Sequence, residues 1–166
     1  MVAAAAAALA LQTTLARFVV RGTIAVDLVL VVVVYVALSA GSVAGLFCGT
    51  VAGLAQDALS TGGVIGIGGL AKTIVGFLAG VMGTQFIVTQ PFSRFVVFFS
   101  ATILHAVVFM GLYVLLDLRH FDRPYAAVAG QAAGNAVVGV VAFQLVELLP
   151  GIVERRRAQR SSRIRR

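Results

Sequence analysis

From Val2 to Glu154 the chain is a nearly unbroken succession of apolar runs. That continuity restricts the fold more than any single motif. A helix needs about 20 mostly apolar residues to cross the hydrocarbon core of a bilayer. Within lipid, every backbone N–H and C=O must be paired inside a helix or a closed barrel. The run DLVLVVVVYVAL, starting at Asp27, would suit a buried strand in a water-soluble protein. Inside a chain this apolar an open strand would leave its backbone unpaired, so a helix is expected. Charged residues make up 11% of the chain and the mean hydropathy is +1.04. Water-soluble domains carry about 25% charged residues, which excludes that class.

Six spans are expected, at about 2–20, 23–40, 41–55, 64–83, 92–116 and 125–149. They make residues 1–154 an all-α polytopic membrane bundle, followed by a basic tail at 155–166. The span at 41–55 is short for a full crossing, and five spans would result if it does not cross. Pro91 suits a helix start, and Pro150-Gly151 marks an end. The N-terminal MVAAAAAALALQTTLARFVV lacks the basic region of a secretory signal, so a retained first span is expected. Of the thirteen Lys and Arg residues, seven follow Glu154. By the positive-inside rule the C-terminus is cytoplasmic, and six spans place the N-terminus there too. The Asp57 turn and the loop LDLRHFDRP then face outside. Arg155, Arg156, Arg157 and Arg160 are expected at an anionic lipid surface. Nucleic-acid binding is not expected, because no folded module or aromatic interleaving accompanies these arginines.

Glycine recurs every fourth residue at Gly41, Gly45, Gly49 and Gly53, and the next step falls on Asp57. In water each interior glycine costs about 1 kcal/mol relative to alanine. In lipid, small residues at this spacing let two helix backbones approach closely. Gly76 and Gly80 extend the pattern into the following span. Four residues advance a helix by about 400°, so the row drifts by about 40° per step. It must therefore cross one partner steeply or serve two neighbours in turn. Packing within the chain is the first use for these glycines, and docking of a partner helix is the second.

Ionisable groups within the spans are few: Asp27, Asp57, Lys72, His105 and Glu147. Lys72 lies near the middle of its span, where a charge costs about 2.5–3.5 kcal/mol. It requires an acidic or carbonyl partner, and Asp57 is the nearest acid in sequence. A structural pair is favoured over an ion or substrate site, since one pair makes no relay. His105 lies on an apolar face and reads as a hydrogen-bonded packing residue. No second His or Cys stands at ligand spacing, so neither a metal nor a cofactor is expected. Gln12, Gln131 and Asn135 can bridge helices, and the last two share a face. Cys48 reads as a small apolar packing residue. GIGGLAKT has its lysine misplaced for a nucleotide loop. With no catalytic constellation elsewhere, no enzyme is expected.

Three stretches resemble the rod shape-determining protein MreD family of bacterial inner membranes. They are QTTL from Gln12 with DLVLVVVVYVAL, the glycine row ending in GLAQD at Asp57, and GGVIGIGGLAKTIVGFLAG from Gly62. Val26 departs from the proline often found before the aspartate of the second span. The resemblance implies a non-enzymatic scaffold of the lateral cell-wall elongation machinery. It also implies the partners MreC, MreB, RodA and the elongation-specific penicillin-binding protein. The implied fold is a six-helix bundle similar to the substrate-binding subunits of energy-coupling-factor vitamin transporters. A substrate-binding transporter subunit is the alternative function, with Asp57, Lys72, His105 and Asn135 as its candidate polar groups.

Overall fold

The computed structural model describes residues 26–60, 64–85, 90–118 and 125–164, with side chains to 148 in the last segment. The expected span at 2–20 and Gln12 lie outside these residues. Within them are α1 (Leu28–Ala40), α2 (Ser42–Leu59), α3 (Ile67–Gln85), α4 (Pro91–Leu115) and α5 (Tyr125–Ile164). The last four are long and apolar enough to cross a membrane, and α1 is a shorter apolar helix.

The local chemistry sets the boundaries. The Asp27 carboxylate accepts from the Leu30 N–H at 3.0 Å and caps α1. Gly41 ends α1 with φ +89°, and its N–H donates to the Ala37 carbonyl. That left-handed conformation suits glycine and allows α2 to start at the next residue. Pro91 opens α4 at a position where its missing N–H costs nothing.

Two expected boundaries move. The short span expected at 41–55 becomes an 18-residue helix, because Gln56, Asp57 and Ala58 continue it to Leu59. Its length and composition suffice for a crossing. Helix α5 runs through Pro150-Gly151 to Ile164, although its apolar, membrane-compatible part stops at Leu148. An interior proline removes one hydrogen bond, and the helix continues past that loss.

Helix α1 is the axis of the bundle. Val29, Leu30, Val31, Val33, Val34, Val36 and Ala37 are all buried, as expected of a helix apolar on every side. It touches α2, α3, α4 and α5. Leu30, Val31, Val34 and Ala37 join Val75, Ala79, Val97, Phe98, Ala101 and Ala136 in the main core. Half-buried Cys48 packs on a smaller cluster of Val29, Val33 and Ala52.

The largest interface joins α2 to α3 in antiparallel fashion. Gly45 lies against Gly76, Gly49 against Lys72 and Thr73, Gly53 against Gly69, and Gly80 against Ser42. A Cβ built on Gly53 would stand 2.6 Å from the Gly69 Cα, and one on Gly49 would meet the Lys72 backbone. This is the close backbone approach that small residues permit in lipid. One neighbour takes three rungs of the row, with Gly45 also against Ala37 of α1. Gly41 differs from these rungs: a Cβ on it would meet open space, its positive φ makes the turn, and its backbone lies against Gly80. Across this interface the Thr50 and Thr73 hydroxyls are hydrogen-bonded at 2.9 Å.

Candidate functional site

Three of the four polar candidates, Lys72, His105 and Asn135, meet in one buried group centred on Asp27. Lys72 sits on α3, and its Nζ lies 2.8 Å from Asp27 Oδ2. Its partner is therefore Asp27 at the head of α1, not the sequence-adjacent Asp57. The same ammonium donates to His105 Nε2 on α4 at 3.3 Å, since lysine has only donors to offer. Asn135 on α5 accepts from the Asp27 N–H at 2.9 Å and donates to Thr102 Oγ1 at 3.1 Å. Thr102 in turn donates to the Phe98 carbonyl. Lys72 is 3% exposed, Asp27 5%, His105 8% and Asn135 0%.

The group thereby ties four helices together at one depth. A buried charge is tolerable when it is paired and its remaining valences are hydrogen-bonded. Here Asp27 Oδ2 faces the ammonium while Oδ1 caps α1. One side chain thus starts the central helix and neutralises the lysine of its neighbour.

Asp57, the fourth candidate, has a separate task. Its Oδ2 accepts from the N–H groups of Gly66 and Gly69, each at 2.9 Å. These are backbone donors around the first turn of α3, which in-helix bonding leaves open. A carboxylate placed there also suits the positive end of the helix dipole. Gly68 supplies the room, because a Cβ there would strike the Asp57 carboxylate. The acid at the end of the glycine row is a cap delivered from the preceding helix.

A second polar station lies toward the opposite ends of the helices. Arg94 near the start of α4 makes a two-pronged contact with Glu147 on α5, through Nη1 to Oε2 at 2.9 Å and Nη2 to Oε1 at 2.5 Å. Its guanidinium lies 4.5 Å from the centroid of the Phe143 ring, and Phe143 packs on Tyr35 of α1 at 4.4 Å. Arg94 falls inside the span expected at 92–116 but is absent from the ionisable groups singled out there, and the sequence alone gives Glu147 no partner. The available signal was two opposite charges near matching ends of consecutive antiparallel spans. Arg155, Arg156, Arg157 and Arg160 fall on the extension of α5 beyond this station.

A cleft of about 390 Å³ opens beside the Asp27–Lys72–His105 group. The end of α2, the start of α3 and parts of α4 and α5 border it. Among the described residues no group of three or more His, Cys, Asp or Glu is placed to hold a metal ion.

The bundle and its internally paired charges define a multi-pass helical membrane protein. The family model of the rod shape-determining protein MreD matches residues 1–150, and the chain belongs to that family of shape-determining membrane proteins. Comparison with curated proteins and with solved structures gave no match.

Proposed function

We propose that the protein is a non-enzymatic scaffold of the bacterial inner membrane that holds MreC and thereby helps to set where lateral peptidoglycan is made. Membership of the rod-shape family supports the process. The observation that carries the scaffold reading is the way the buried ionisable groups are spent. Lys72 bonds to both Asp27 and His105, and Asp57 caps a helix. Groups used in this way hold helices in register and are not poised for chemistry on a substrate.

MreB, RodA and the elongation-specific penicillin-binding protein are further partners on this reading. MreC would bind outside the glycine row, because Gly45, Gly49 and Gly53 already lie against α3. Val43, Phe47 and Val51 form an exposed apolar face on α2 and offer a surface that leaves the α2–α3 contact intact. The arginine-bearing end of α5 would face the cytoplasm and anionic lipid.

The cleft beside Lys72 favours a second reading, a solute-binding subunit of the vitamin-transporter kind. Its volume lies within the range of small-molecule sites, about 300–1,000 Å³. Yet the lysine facing it is already neutralised by Asp27. Depletion of the protein in a rod-shaped host separates the two. Rounding with loss of MreC co-purification is expected; normal shape with a growth requirement for a vitamin would refute the scaffold.

A further inference from the structure

The cleft carries an imbalance that the buried network does not explain. Gln56, on the last turn of α2, has its Oε1 buried with no hydrogen-bond partner among the described residues. A buried acceptor left without a donor is destabilising, because its lost hydration is not replaced. The next residue, Asp57, brings a carboxylate to the same cleft. Among the described residues the ion pairs are Lys72 with Asp27 and Arg94 with Glu147. Asp57 is balanced by two backbone N–H groups and forms no ion pair among the described residues, and Lys72, which also lines the cleft, is held by Asp27.

The lining is also aromatic. Phe109 and Tyr113 of α4 line the cleft with ring centroids 4.8 Å apart, and Gln131 of α5 adds a second amide. A carbonyl and a carboxylate that have no cationic partner among the described residues, with two aromatic rings, all select for one chemistry. They call for a group with N–H donors and a positive charge, which also gains from the faces of the rings. Ser60 at the end of α2 and Val64 just before α3 also line the cleft.

We propose that this cleft binds a primary ammonium group, with Gln56 Oε1 and the Asp57 carboxylate as its acceptors. An aminophospholipid headgroup and a small soluble amine both present that chemistry. The test uses the full chain in detergent and does not depend on the scaffold reading. Protein reconstituted with equal phosphatidylethanolamine and phosphatidylcholine is re-extracted, and retained lipid is measured by mass spectrometry. Thermal unfolding is followed in parallel with ethanolamine or choline.

At least one primary amine is expected to bind about tenfold more tightly than its quaternary analogue, which lacks N–H donors; that is the effect of one hydrogen bond to a charged group. Retention of phosphatidylethanolamine alone identifies the lipid as the source, and stabilisation by ethanolamine alone identifies the soluble amine. Gln56→Ala and Asp57→Asn should each weaken binding by about tenfold. The asparagine keeps an acceptor for the start of α3, so the fold is retained. Equal binding of primary and quaternary forms, no binding of either primary amine, or unchanged binding in both variants would overturn the proposal. If neither variant folds, the comparison of amines on the unsubstituted chain decides alone.

Discussion

At the scale of single residues, Asp27 and Lys72 are worth more to each other than either is alone. Removing one partner of a buried pair costs about 3–5 kcal/mol, because the other charge is left uncompensated. Asp27→Asn, which keeps a cap for Leu30, and Lys72→Met should each destabilise the bundle by that order. The double variant should recover most of the loss. A double-mutant cycle in denaturant or thermal unfolding measures the coupling, and additive losses would show that the charges do not depend on one another. The need for a partner to Lys72 was legible in the sequence, since a mid-membrane charge demands one. Its identity was not. Asp27 lies far away along the chain and reaches Lys72 only because α1 and α3 run side by side. Asp57, the neighbour in sequence, stands at the end of α2 and is taken up by the backbone of Gly66 and Gly69. Arg94 was missed because it stands in the first turn after Pro91, where an arginine reads as an interfacial residue that needs no partner.

At the scale of helices, the glycine row is an interface between α2 and α3, and its members are not equivalent. Gly49→Leu would drive a side chain into the Lys72 backbone and should cost at least about 3 kcal/mol, the upper part of the overpacking range. Gly111, by contrast, is helical with open space around it. Gly111→Ala should therefore stabilise by about 0.5–1 kcal/mol, the helix preference of alanine over glycine. Thermal unfolding of the two variants side by side checks both signs, and a tolerated leucine at Gly49 would break the proposed packing. The four-residue spacing announced a close helix contact, and its drift left either one partner crossed steeply or two neighbours in turn. The structure gives the three rungs one main partner, because Gly41 serves the turn and Asp57 serves the next helix. The end of α2 was misjudged for a related reason: Gln56 and Asp57 are polar and look like a loop, yet both belong to the helix.

At the scale of the molecule, the path of the chain separates two ends. Asp27, the Ser60 turn and Leu115 lie at one, while Gly41, Gln85, Pro91 and Leu148 lie at the other, from which the arginine-bearing part of α5 continues. The positive-inside rule assigns this second end to the cytoplasm. In a Cys48→Ala background, cysteine at Ser60 should react with an impermeant reagent added outside, and cysteine at Gln90 only after permeabilisation. The reverse pattern would invert the topology. The helical class, the family and the existence of buried pairing could be read from apolar continuity, glycine spacing and a lone lysine. The choice of pairs and the position of the cleft required the helices to be set against one another. The central claim is that these intramembrane charges serve the bundle and perform no chemistry of their own. Its most direct test is cell shape in a rod-shaped host whose only copy is the Asp27→Asn, Lys72→Met double variant, with membrane level and MreC co-purification checked in the same cells. Rods that retain MreC are expected; round cells containing a normally folded, normally abundant variant would contradict the claim.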